Sequence, residues 1–125
     1  MQRLSHDSVH NRLLSLLPLE QFTLLQPHLE PVDLPVPRVL IEEQQPIEYA
    51  YFLERGIASV VSDDGHKAQI EIGIYGREGM GGTALLMGSD RIPHRHFMQI
   101  SGAGLRIPSH ALLDAIEARD RKSVV

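Results

Sequence analysis

Residues 57–82 read IASVVSDDGHKAQIEIGIYGREGMGG. Ile57 to Val61 is a short β-branched run, and Asp63-Asp64-Gly65 follows it. An Asp-Gly pair between two such runs supplies the positive φ that a tight hairpin turn needs. The return strand runs from Lys67 to Tyr75. Alternation places Ala68, Ile70, Ile72 and Ile74 on one face and Gln69 and Glu71 on the other. Gly76-Arg77-Glu78-Gly79-Met80-Gly81-Gly82 then carries more glycine than one turn requires. Short strands with glycine-marked turns and no long helices between them argue an antiparallel sandwich or barrel.

Downstream, Thr83 to Met87 reads as a short helical turn and Gly88 to Pro93 as a polar loop. His94 to Ile100 is a strand, Gly102 and Gly104 break it, and Leu105 to Ile107 is another. Pro108-Ser109 opens a helix with Ser109 as its cap and Leu112, Leu113 and Ile116 as its apolar face. That helix should fray after Glu117, where the residues turn polar and charged. Upstream, Ala50 to Leu53 and Ile57 to Val61 are strands punctuated by Gly56. Val39 to Ile41 is a short strand. Val32, Leu34 and Val36 alternate with Pro31, Asp33 and Pro35, which confines that strand to a sheet edge. Before it, Ser8 to Leu17 reads as a helix capped by Ser8 with an apolar stripe of Val9, Leu13, Leu16 and Leu17. Leu19 to Gln26 is a second helix that Pro27 ends. Six of the eight prolines precede residue 47, and all ten glycines lie between residues 56 and 104. The expected organisation is therefore a helical segment at 1–30, a strand-rich region at 31–108 and a C-terminal helix at 109–125. The fold class is mainly β with flanking α-helices.

At 125 residues with 42% hydrophobic and 22% charged composition, the chain is one globular domain rather than a disordered segment. It has no cysteine, which excludes disulfides, cysteine-ligated metals and thiol nucleophiles. The net charge is −4, and the 12 Lys and Arg form no dense patch, so direct nucleic-acid binding by this chain is not expected. The N-terminus lacks the apolar run of a signal peptide, and no stretch approaches the ~20 apolar residues of a membrane span. A soluble cytoplasmic protein that does not engage membranes is the expectation.

Four stretches carry a resemblance to the cyclic-nucleotide-binding domain of the Crp–Fnr (catabolite activator) regulators, over roughly residues 10 to 118. They are Leu-Leu-Ser-Leu-Leu-Pro at 13–18 with Leu29-Glu30-Pro31-Val32, the run from Tyr51 to Val60, the Asp64-Gly65 hairpin, and Ile74 to Gly82 with Ala84-Leu85-Leu86. The resemblance implies a double-stranded β-helix (jelly-roll) in which the glycine-rich corner and the short helix after it form a phosphate-binding cassette. Backbone N–H groups at such a corner suit an anion. In the family, a Glu in the cassette accepts from the ribose hydroxyl and an Arg pairs with the cyclic phosphate. This chain departs from both. Gly82 stands where the Glu belongs, and Pro93-His94-Arg95-His96-Phe97 replaces the Arg-x-Ala that follows, leaving Arg95 as the nearby cation. Losing a buried hydroxyl–carboxylate pair costs about 1.5–3 kcal/mol, tenfold or more in affinity.

The resemblance thus implies a ligand-sensing regulatory domain with a degenerate cassette. Its candidate ligand site is Gly79, Gly81, Gly82, Thr83, Ala84 and Arg95, and its candidate ligand a cyclic nucleotide or another small anion. No cofactor is firmly implied. The C-terminal helix reads as the root of a dimerisation helix, and its Leu112, Leu113 and Ile116 face has two readings, a homodimer seam or packing within the chain. No helix-turn-helix pattern is present, so the chain is either a free-standing sensor or a fragment of a transcription regulator. Two plainer readings stand beside this one. The corner only turns the roll, around a vestigial pocket filled by side chains such as Met80 or Met87, in a structural or dimerisation module. Alternatively, His94 and His96, two apart on one strand, present their imidazoles to a metal in a small cupin-like protein. No catalytic dyad is apparent, so the chain is not expected to be an enzyme.

Overall fold

Two long strands carry the fold. In the computed structural model, which describes residues 5–63 and 69–123, they are β3 (Tyr49–Asp63) and β6 (Arg95–Pro108). The sequence pattern predicts each of them as two strands interrupted by glycine. They instead run continuously and pair antiparallel from Tyr49↔Pro108 to Val61↔Arg95, with register shifts around Arg55. Glycine bends them without ending them. Gly56 has φ 90°, and a Cβ there would lie 2.6 Å from the Ile100 carbonyl oxygen. On Gly102 a Cβ would lie 2.0 Å from the Arg55 carbonyl oxygen. The two backbones cross this corner so closely that no side chain fits on either strand.

The bend divides the pair into two layers. The layer at the start of β3 adds β1 (Glu30–Leu34), opposite Gly102 to Arg106, and β5 (Met80–Gly81), opposite Tyr51 and Phe52. The layer at its end adds β2 (Val39–Ile41), beside His96 and Phe97, and β4 (Gln69–Tyr75), opposite Ala58 to Asp63. Two four-stranded antiparallel layers sharing both long strands make a jelly-roll, the expected fold class. As Pro31 requires, β1 lies at the end of the strand order.

The hairpin differs in one respect from the alternation. Val60 pairs with Gly73 but Val61 with Glu71, so Ile72 is an extra residue on β4. Ile74 then lies opposite Ser59 and Ile70 opposite Ser62, on opposite faces, and all three isoleucines are exposed. The expected single apolar face does not exist. Asp64, Gly65, Lys67 and Ala68 lie outside the described residues.

Helices flank the roll. In α1 (Arg12–Leu16) the cap is Asn11, not Ser8. The Ser8 hydroxyl donates back to the Ser5 carbonyl at 2.9 Å. Leu14 is fully buried, whereas Leu13 and Leu16 of the expected stripe are 39% and 70% exposed. With Asn11 as the cap, the five-residue helix has only one buried position. In α2 (Leu19–Leu25), Phe22 and Leu25 enter the core, and a 3-10 turn (Gln26–His28) containing Pro27 follows. The last helix, α3 (Ser109–Ser123), continues past Glu117 and buries Ala111, Leu112 and Ala115 while Leu113 faces outward. The Ser109 hydroxyl donates to the carbonyl oxygens of Ile47 and Glu48, tying the loop before β3 to the start of α3. Among the described residues, no helix is long and apolar enough to cross a membrane.

Candidate functional site

The glycine-rich corner begins where Tyr75 ends β4. A turn closed by the Gly79 N–H on the Gly76 carbonyl (3.1 Å) reverses the chain into β5. There Gly81 lies directly opposite Tyr51. Directly opposed residues share a face of the sheet, so Gly81 and Tyr51 both look into the roll. Arg106, opposite Tyr51 on its other flank, looks the same way. A Cβ on Gly81 would lie 2.3 Å from the Tyr75 hydroxyl and 3.6 Å from His96 Nδ1. The side chain absent from position 81 is the space that Tyr75 fills.

Gly82 follows in the left-handed region at φ 101°, where its missing Cβ would come 3.2 Å from Ala50 Cα. Thr83–Met87 then forms a 3-10 turn that ends at Gly88, also left-handed at φ 87°. The expected short helical turn is present. Leu85 is buried beneath it, while Met87 is 85% exposed, so Met87 does not fill the roll. Met80 lies on the strand face opposite to Gly81 and packs against the hydrophobic core. The filler is Tyr75.

Tyr75 Oη and His96 Nδ1 are 2.9 Å apart and their rings meet edge-on. Burial, assisted by neighbouring His94, lowers the His96 pKa to about 4, so the imidazole is neutral at pH 7. Burial, with Tyr51 nearby, raises that of Tyr75. The pair is therefore an uncharged plug of the interior.

Arg95 is carried elsewhere. His96 faces Gly81, and adjacent strand residues point to opposite faces. Arg95 thus projects away from the glycines, toward Glu42 with Nε–Oε1 3.5 Å. That partly exposed pair contributes about 1 kcal/mol or less. The candidate cluster accordingly divides: Gly79, Gly81, Gly82, Thr83 and Ala84 form one corner, and Arg95 lies outside it. His94 lies in the bend before β6 rather than on the strand, so alternation does not pair it with His96, whose Nδ1 is engaged by Tyr75. Among the described residues no three His, Cys, Asp or Glu gather around a common point.

The cation that does face inward is Arg106. Its guanidinium lies 4.1 Å from the centroid of the Tyr49 ring, and Glu30 Oε1 is 3.4 Å from its Nε. Burial opposes its charge, but the hydrogen bond with Tyr51 and the neighbouring Tyr49 and Glu30 outweigh this and raise its pKa. Arg38, Glu48, Tyr49, Tyr51 and Arg106 line a polar cavity of about 400 Å³. Sequence reading did not find these residues. They come from three separate segments, and nothing in a linear pattern joins position 51 to 81 and 106.

Asn11 was missed as well. Fully buried, it donates through Nδ2 to the carbonyl oxygens of Leu53 and Gly79, both at 2.9 Å, and accepts from the Leu14 N–H at 3.2 Å. Glu54 accepts from the N–H groups of His10 and Asn11. The only signal was its residue type, and Ser8 offered the same one three positions earlier.

No protein-family model matches the sequence, and no curated protein does. Many solved structures share the fold. The sensor domain of the transcriptional regulator DNR from Pseudomonas aeruginosa is similar at TM-score 0.68 and 13% identity, over 90% of this chain and 78% of that one. A cyclic nucleotide-binding-like protein from Brucella abortus is similar at TM-score 0.65 and 22% identity, over 85% and 90%. The regulatory subunit of a cAMP-independent protein kinase A from Trypanosoma brucei is similar at TM-score 0.71 and 15% identity, over 93% of this chain but 44% of that one. The roll thus shares the jelly-roll fold of these structures.

Proposed function

We propose that the chain is a ligand-sensing regulatory domain of the Crp–Fnr type, without enzymatic activity, whose cassette has abandoned the cyclic-nucleotide pattern. Its ligand is a small anion held on the inner face of the roll, and its output passes to α3 and a homodimer formed there. The observation that carries this reading is the inward alignment of Gly81, Tyr51 and Arg106 across three adjacent strands. It leaves Arg106 with the phenols of Tyr49 and Tyr51 at a polar cavity that Arg38, Glu42 and Glu48 also line. Gly82 has no carboxylate for a ribose hydroxyl, and the Tyr75–His96 plug occupies the space behind Gly81. Both features support a ligand smaller than a cyclic nucleotide.

Calorimetry tests this with cyclic AMP, cyclic GMP and inorganic phosphate. Phosphate heat that is saturable and disappears in Arg106→Gln, with little from either nucleotide, is the expected result. Tight cyclic AMP binding would overturn the abandoned-cassette reading. Silence from all three would favour the second reading, a structural or dimerisation module with a vestigial pocket, for which the Tyr75 plug is the specific support.

A further inference from the structure

Phe52 and Tyr51 are neighbours on β3 and face opposite sides of the sheet. Tyr51 lines the polar cavity inside the roll. Phe52 lines a second cavity of about 310 Å³ outside it, where α1, α2, the 3-10 turn and α3 converge. Its walls include Leu17, Leu86 and Ile116, and among the described residues its polar lining side chains are Gln21 and Arg119. Leu86 is half exposed at this site, so a large apolar side chain borders open space.

We propose that this cavity binds an amphipathic monocarboxylate with an alkyl chain of about ten carbons. An apolar cavity of about 150 Å³ stays dry and holds benzene, so twice that volume holds a medium-length chain. Apart from Gln21 and Arg119 the walls are hydrocarbon, which does not suit a nucleotide or a sugar. Polar chemistry is confined to Gln21 and the cation of Arg119, and a guanidinium suits a carboxylate. A chain seated there touches Leu86 of the 3-10 turn and Ile116 of α3 together. It therefore links the corner to the last helix without entering the roll.

The test is calorimetry of the whole chain with decanoate, below its micelle concentration, alongside decanol. Saturable one-to-one binding of decanoate is expected. Ala115→Leu, which fills the cavity, should abolish it, as should Leu86→Glu, a change at a half-exposed position that leaves folding intact. Arg119→Gln should weaken decanoate about tenfold, as expected for one charge-assisted contact, and leave decanol unchanged. Arg106→Gln should bind decanoate as the parent does, which separates this site from the anion site inside the roll. Absence of saturable heat, or binding unchanged in Ala115→Leu, overturns the proposal. So does a dimer in sedimentation that Ala115→Leu dissociates and decanoate does not, because a second copy would then occupy the cavity.

Discussion

The side-chain amide of Asn11 donates to the carbonyl oxygen of Gly79 at 2.9 Å, joining the N-terminal helices to the glycine-rich corner. The same nitrogen holds the Leu53 carbonyl, and the Arg12 N–H holds that of Arg77 at 2.7 Å. Replacing Asn11 with Ala removes the side-chain partner of two carbonyls and one N–H in a buried or part-buried place. Each such group costs about 1–3 kcal/mol, partly relieved by relaxation. The expected loss is about 3 kcal/mol in urea denaturation, with the unfolding slope unchanged. A loss under ~1 kcal/mol would mean that water or a rotated peptide satisfies these groups.

Gly81 and Tyr75 compete for one space. Gly81→Ala should destabilise the fold by about 2 kcal/mol, as overpacking a filled interior does. In a Tyr75→Phe background the cost should shrink, because the hydroxyl that the new methyl meets is gone. A double-mutant cycle measures the difference, and strictly additive effects would refute the contact.

Glycines do not all matter equally. A Cβ on Gly73 meets nothing within 4 Å, whereas one on Gly102 would overlap the backbone of Arg55. Gly73→Ala should therefore be neutral or slightly stabilising, through the restricted unfolded chain. Gly102→Ala should fail to give a folded domain. Circular dichroism of the two variants decides this.

His96 makes stability depend on acid. Its folded pKa of about 4 lies below the ordinary value of 6.5, so between those limits the unfolded chain binds more protons. Stability is then complete above pH 6.5 and falls as the pH drops toward 4. The loss reaches about 3 kcal/mol at ~1.4 kcal/mol per pKa unit. Below pH 4 both states are protonated and this contribution stops changing. In His96→Gln the slope of unfolding free energy between pH 6.5 and 4 should flatten. An unaltered slope would place the acid sensitivity elsewhere.

Local pattern was enough for the elements and for the kind of fold. Alternating β-branched residues, prolines at one strand edge and glycines at the corners each act within a few residues, so periodicity and turn chemistry reveal them in the chain itself. The short turn at Thr83–Met87 and the glycine-rich corner were legible for that reason. The face assignments were not. One extra residue at Ile72 turns Ile70 and Ile74 to opposite sides, and a bulge depends on the partner strand as much as on its own. The partnerships across the roll, Gly81 with Tyr51, Tyr51 with Arg106 and Asn11 with Gly79, join segments tens of residues apart. Such contacts follow from strand register and from close packing of one interior volume. These long-range constraints also turned Arg95 outward and Arg106 inward, although both are arginines on the same strand.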